Sequence, residues 1–256
     1  MQHRARKRFG QNFLVDTGVI QRIATAIGLT ENDVVLEIGP GRGALTEYLV
    51  HACKELIAIE LDRDLASRIP LMFPTAALKI IQQDALEVAF DQLSKQPMRL
   101  VGNLPYNIST PLLFHFLRYK QTWQDAHIMV QKEVADRMVA TSTDNNHGRL
   151  SVMLQVQCRL EKLFDINPNA FQPAPKVTSS VVRLVPLDNP LVEISQLNEF
   201  SQLVKTGFSH RRKTLHNNFK NTLNPAQFEQ ANIDPRLRAQ ALTLKDWVAL
   251  YQVSRV

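Results

Sequence analysis

An α/β fold, a mostly parallel sheet with helices on both faces followed by a small all-α C-terminal unit, is what this sequence predicts. Two observations carry the prediction. Through the first two-thirds of the 256 residues, short β-type runs alternate with helix-patterned stretches, the pattern of a parallel sheet covered on both sides. Beyond about Pro186 the β-type runs stop and only short amphipathic stretches remain.

Taken in order, the first element is a helix. Asp16 is placed to cap it, Val19, Ile20, Ile23 and Ile27 share one face, and Gly28 sits where it should stop. Strands are predicted over 33–38, 55–60, 78–82, 98–102 and 127–130, with helices over 44–51, 64–72, 110–119 and 132–140 between and after them. Residues 160–166 and 179–185 read as two further strands joined by the proline-bearing loop 167–177. Helices follow over 196–208, 211–222, 225–231 and 243–253. A boundary near Pro186 to Pro190 divides the chain into domains 1–187 and 188–256, the second near the lower size limit for an independent core.

Composition narrows the function classes. Hydrophobic residues make up 45% and charged residues 21% of the chain, ordinary for a globular protein. No apolar run is long enough to span a bilayer, and the basic start is followed by Phe9-Gly10-Gln11-Asn12-Phe13 in place of an apolar signal segment. No membrane association and no secretion are expected. Cys53 and Cys158 lack neighbours at ligand spacing, so neither a zinc site nor a disulfide is expected, in keeping with the cytoplasm. The seven histidines are scattered and no metal is expected.

The net charge of +6 says little alone; its distribution says more. Arg4, Arg6, Lys7 and Arg8 precede any acidic residue, and no Asp or Glu lies between Glu199 and Glu229, where Lys205, Arg211, Arg212, Lys213 and Lys220 fall. Either cluster alone could be a solvated face. Together with the base-reading segment described below, they point to phosphate contacts.

Glu37-Ile38-Gly39-Pro40-Gly41-Arg42-Gly43-Ala44-Leu45-Thr46 follows the first strand and opens a helix. Gly39 and Gly41 let the backbone turn tightly and approach a ligand. Pro40 cannot donate a hydrogen bond, and the Lys-Ser/Thr of a phosphate loop is absent, which fits a ligand without a pyrophosphate. Glu60, closing the second strand about 20 residues on, can accept both ribose hydroxyls of an adenosine moiety. Asp84, after the third strand, is placed to accept from an adenine amino group. Singly these residues read equally well as a turn, a surface acid and a cap; in order at successive strand ends they read as one nucleoside site.

Asn103-Leu104-Pro105-Tyr106-Asn107-Ile108-Ser109-Thr110 follows the fourth strand. An adenine amino group is a poor nucleophile because its lone pair is delocalised into the ring. Acceptors aimed at both its hydrogens favour a tetrahedral nitrogen, and Asn103 Oδ1 with the Leu104 carbonyl are candidates. Pro105 restricts the backbone and removes a competing donor, and Tyr106 offers a ring on which an extruded base can stack. An in-line displacement from a sulfonium then relies on positioning, with no side-chain nucleophile. The alternative is an ordinary loop with Ser109 capping a helix.

These segments resemble the small-subunit ribosomal RNA adenine dimethyltransferase family of the class I methyltransferases. The likeness continues through Gln131 to Arg137, Phe171-Gln172-Pro173-Ala174-Pro175-Lys176-Val177 and Arg211-Arg212-Lys213-Thr214. It implies a Rossmann-like, seven-stranded, mostly parallel sheet in domain 1–187, with S-adenosylmethionine as cofactor, and a helical RNA-binding domain over 188–256. It implies further that Asn12, Leu14, Gly39, Glu60, Asp84 and Asn103 line the cofactor pocket. Asn103, Leu104 and Tyr106 would hold the target base, with Phe171 over its other face; from the residues alone Phe171 reads as a core aromatic. The implied substrate is a pair of adjacent adenines near the 3′ end of small-subunit rRNA in a pre-ribosomal 30S particle, acted on by a monomer.

Three rival functions compete with this reading. A large-subunit adenine methyltransferase would share the cofactor loop and the Asn-Leu-Pro-Tyr segment, but Gln11 to Asp16 and Arg211 to Thr214 look more like the small-subunit family. A nicotinamide dehydrogenase is disfavoured by the Gly-x-Gly-x-Gly spacing. A ribosome-assembly factor that acts mainly by binding is compatible with the enzyme.

Overall fold

The structure, a computed structural model, describes residues 11–142 and 144–255. The chain begins with β1 (Phe13–Leu14), α1 (Thr17–Ile27), β2 (Val34–Ile38), α2 (Thr46–Ala52), β3 (Glu55–Ile59), α3 (Arg63–Met72) and β4 (Leu78–Ile81). It continues with β5 (Met98–Asn103), α4 (Ser109–Arg118), β6 (Trp123–Gln131), α5 (Lys132–Val139), α6 (Arg149–Gln155), β7 (Cys158–Ile166), β8 (Phe171–Gln172) and β9 (Ser179–Pro186). Four helices close it: α7 (Leu197–Gly207), α8 (Leu215–Phe219), α9 (Pro225–Gln230) and α10 (Leu244–Ser254).

Seven strands form one sheet in the order β4-β3-β2-β5-β6-β9-β7. β4, β3, β2, β5 and β6 run parallel, and β9 joins β6 antiparallel. This is the expected mostly parallel, seven-stranded α/β sheet. All five residues of β2 are buried, as a central strand covered on both faces requires. Val35, Leu56, Val101, Met129 and Val181 face one layer with Ile20, Ile23 and Ile27 of α1 and Leu49 of α2. By strand alternation the buried Leu36, Ile57, Leu100 and Ile128 face the other way.

α1 is fixed at both ends. Asp16 accepts the Val19 amide at 3.0 Å, and Gly28, at φ 60°, returns its N–H to Ala24. Arg99 of β5, 8% exposed, then donates to the carbonyls of Ile27 and Gly28 at 2.6 and 3.0 Å and forks onto Asp125 at 2.9 and 2.7 Å. Asp33 joins at 3.3 Å; burial works to raise its pKa, but the Thr30 amide and Arg99 hold the carboxyl below its ordinary value.

Two compact units result. One comprises the described residues up to Ala135 with Glu161–Pro186; the other joins Asp136–Leu160 to the residues from Leu187 onward. The helical unit is thus built from two stretches of chain, where the sequence suggested a single cut at 187/188. The cause is α6, which sequence patterning did not pick out. Ser151 donates to the Arg137 carbonyl and Gln155 to those of Met138 and Ala140, while the Leu191 amide donates to Val156. Around Phe200, Phe219, Phe228, Trp247 and Leu250 the second unit has its own core. The helix expected over 211–222 is shorter, because Thr214 caps it and starts α8 at Leu215.

Candidate active site

A cleft of about 340 Å³ opens at the carboxyl ends of β2, β3, β4 and β5, where ligands bind in open α/β sheets. Its wall contains Asn12, Leu14, Gly39, Gly41, Glu60, Asp84, Asn103, Leu104, Pro105 and Tyr106 together, although these lie on five separate stretches of chain.

The loop after β2 is shaped by its glycines. Gly41 sits at φ 59° and Gly43 at φ 84°, conformations that side chains disfavour. A Cβ on Gly43 would stand 2.7 Å from the Phe73 ring, and one on Gly41 3.1 Å from Phe13. The Gly41 amide donates to Glu60 Oε2 at 3.1 Å and the Asp62 amide to Glu60 Oε1 at 2.9 Å. The acid at the end of β3 therefore holds the glycine loop in place. Burial raises its pKa, and the Asp62 and Gly41 amides pull it back only in part. After β4, Asp84 accepts the Leu86 amide through Oδ1 at 2.9 Å; it caps a turn and lines the cleft at once.

After β5 the chain turns through Asn103 to Ile108. Asn103 Nδ2 donates to the Asn12 carbonyl at 2.9 Å, which fixes which edge of the amide carries the oxygen. The Leu104 amide donates to Met129 at 3.1 Å and locks the following peptide. Tyr106 is held at its phenol by Ser179, 2.7 Å away, and at its carbonyl by Ser109 at 3.2 Å. Burial raises the Tyr106 pKa, and the bond from Ser179 partly offsets it. Ser109 does not cap α4, whose N-cap is Ile108 without a side-chain bond; its hydroxyl is committed to Tyr106.

The wall at the N-terminal side comes from β1, one strand of a two-stranded ribbon. β1 pairs antiparallel with β8, Phe13 opposite Gln172 and Leu14 opposite Phe171, and Arg42 stacks over the Phe13 ring at 4.4 Å. Phe171 itself departs from its expected place. It is 3% exposed, packed with Leu14, Ile20, Ala170 and Val181, and is absent from the cleft wall. Strand pairing turns its ring into the core, as its residue type alone suggested.

The basic residues separate in the same way. Arg4, Arg6, Lys7 and Arg8 lie outside the described residues. Arg211, Arg212 and Lys213 are exposed on a turn before α8, not on a helix. Arg211 donates to the Asn145 carbonyl at 3.0 Å, and the Gln240 side-chain oxygen, in the amide orientation that satisfies both groups, accepts from it at 3.0 and 2.9 Å. Within the helical unit it therefore acts partly as a staple.

Sequence reasoning missed two residues, one in the cleft and one behind it. Glu37, 2% exposed, lines it and accepts the Thr46 hydroxyl at 2.8 Å. Burial pushes this carboxyl up to about 8, the Thr46 bond lowering it and the neighbouring Glu60 charge raising it further. An acid inside the apolar run Val34-Val35-Leu36-Glu37-Ile38 was a readable signal. Ser179 had none; only the fold brings it to Tyr106. Among the described residues no group of His, Cys, Asp or Glu has the geometry of a metal site, and no helix is long and apolar enough to cross a membrane.

Comparison with known proteins gives the family and the fold. Residues 2–255 match the description of the ribosomal RNA adenine dimethylase family. The chain is 47% identical over 254 residues to ribosomal RNA small subunit methyltransferase A of Saccharophagus degradans, covering 97% of this chain and 94% of that protein. The protein of that name from Pseudomonas aeruginosa is 48% identical over 252 residues, with 97% and 94% covered. Among solved structures, a dimethyladenosine transferase from Plasmodium falciparum superposes with a TM-score of 0.81 at 29% identity, covering 93% of this chain and 95% of that one. The 23S rRNA methyltransferase ErmE shares the fold, with a TM-score of 0.74 at 24% identity over 96% of this chain and 100% of that one.

Proposed function

The chain belongs to the ribosomal RNA adenine dimethylase family, and on that premise we propose that it methylates N6 of two adjacent adenines near the 3′ end of small-subunit rRNA. S-adenosylmethionine is the donor and a pre-ribosomal 30S particle the substrate. The observation that carries this reading is the convergence, in one cleft, of a glycine loop with two carboxylates and the Asn103–Tyr106 segment.

The residues fit an adenosine-bearing donor. A cleft of about 340 Å³ is of ligand size. The Glu60 carboxylate has roughly four acceptor sites, of which two backbone amides use two; the rest can take ribose hydroxyls. Asp84 keeps Oδ2 for an adenine amino group, while Asn12, Leu14, Gly39 and Gly41 shape the walls. When bound, S-adenosylmethionine supplies an electrophilic methyl carbon on a positively charged sulfur.

The chain's own residues prepare the nucleophile. Asn103 Oδ1, its edge set by the Asn12 carbonyl, and the Leu104 carbonyl accept the two N6 hydrogens of the target adenine. This draws the nitrogen away from planarity and frees its lone pair. Pro105 stiffens the turn, and Tyr106 stacks on the base, a contact of about 1–3 kcal/mol. The proton left on N6 departs to water. Phe171 backs the β1 wall from the core. Arg212 and Lys213, with Arg4, Arg6, Lys7 and Arg8, meet RNA phosphates; Arg211 shares that task with its role as a staple. The chain works as a monomer in the cytoplasm, which suits two cysteines that form no disulfide.

The test is nucleoside mass spectrometry after incubating labelled donor with undermethylated small and large ribosomal subunits. N6,N6-dimethyladenosine in small-subunit rRNA is the expected product. Label confined to large-subunit rRNA, or none in adenosine, would overturn the reading.

A further inference from the structure

We propose that Ser179 is a positioning residue for methyl transfer, fixing the position of the Tyr106 ring through the 2.7 Å bond between their hydroxyls. The inference rests on the function proposed above, in which that ring receives the target base.

Stacking alone would be satisfied by a phenylalanine at position 106, so the phenol asks for an explanation. A Tyr ring anchored only at its Cα can swing about two side-chain torsions. Here it is pinned at both ends, by Ser179 at the phenol and by Ser109 at the backbone carbonyl. The Ser179 anchor is rigid. It is fully buried, opens β9, and lies opposite Gln131 in the β6–β9 ladder. Next to it, the Thr178 carbonyl accepts the Lys132 amide at 2.9 Å. A buried hydroxyl without a partner is costly, and Tyr106 supplies the partner. Ser179 touches Tyr106 and is not part of the cleft wall, so it acts through the tyrosine.

A double-mutant cycle decides the matter. Ser179→Ala, Tyr106→Phe and the double variant are compared with wild type in single-turnover transfer to small subunits, with donor affinity and thermal midpoint measured alongside. Each single change should slow transfer about 3- to 10-fold, the worth of one hydrogen bond. The double variant should be no slower than the slower single one. Donor affinity should hold within about twofold, because the defect lies on the base side. Losses that multiply in the double variant, or that track lost donor binding or stability, overturn the proposal. So does a Ser179→Ala enzyme of wild-type rate. If Ser179→Ala does not fold, Tyr106→Phe still tests the bond, and its wild-type rate would dismiss it. Wild-type protein silent on small-subunit adenines would sink the functional reading and this inference with it; active wild type with an additive cycle sinks only the inference.

Discussion

Gly39, Gly41 and Gly43 hold one half of the cleft through backbone dihedrals, whereas Asn103 and Tyr106 in the other half lean on side-chain bonds to Asn12 and Ser179. The first half carries its instructions locally. Its loop conformation follows from residues in a row, and the end of β3 tethers it through main-chain amides, Gly41 to the Glu60 carboxylate and Gly39 to the Ile59 carbonyl. The second half depends on partners 91 and 73 positions away. A loop fixed by dihedrals tolerates changes elsewhere in the fold, while a loop fixed by distant partners inherits every disturbance of theirs.

Four substitutions break or sharpen this contrast. The largest effect belongs to neither half but to the core packed behind β1. Phe171→Ala should cost about 3–5 kcal/mol of stability, as for other buried aromatics, measured by denaturant unfolding. A fully stable variant with a selective loss of turnover would return Phe171 to the base. Next, Asn103→Ala should slow transfer about 100- to 1000-fold, on the scale of losing one preorganised transition-state contact, with donor affinity mostly kept. Near-normal turnover would remove the base-gripping geometry. Gly43→Ala should lose about 1–3 kcal/mol through its left-handed backbone and the Phe73 clash, and should weaken donor binding more than it slows the bound complex. Equal damage to both would erase the distinction between the halves.

The smallest effect is a pH trend. Burial raises Glu37 to about 8 from an ordinary 4.5, so between those values the folded chain keeps a proton that the unfolded chain releases. Its contribution to stability is full below about 4.5 and is lost as the pH climbs through 8. Glu37→Gln, which keeps the shape without the titration, should flatten the fall in thermal midpoint over that window by a few °C. Glu60 is raised in the same direction and its charge acts on Glu37, so the difference reports Glu37 together with its effect on Glu60. Parallel curves would show that Glu37 is charged.

Sequence patterning located the seven sheet strands to within a few residues because hydrophobic runs and glycine breaks are local facts. It underestimated β6, predicted over 127–130 and found over Trp123–Gln131, since Gln124 and Asp125 interrupt the apolar run. It passed over α6, seven residues behind a polar turn, and thereby the second stretch of the helical unit. β1 and β8 are two residues each, too short for any periodicity. At the site, the glycine loop, Glu60, Asp84 and the Asn103 segment were legible because chemistry restricts their residue types. Ser179 was not, because a serine at the head of a strand carries no local sign of the tyrosine it meets.

The β1–β8 ribbon has a consequence for how the molecule is made. Phe13 finds its partner only at Gln172, so a nascent chain must emerge past that point before its earliest strand can zip. The other cleft segments, Gly39 to Asp84 and Asn103 to Ile108, are all synthesised sooner. Phe13 and Leu14, which line the cleft, are therefore among its first residues to be made and the last to gain their strand partner.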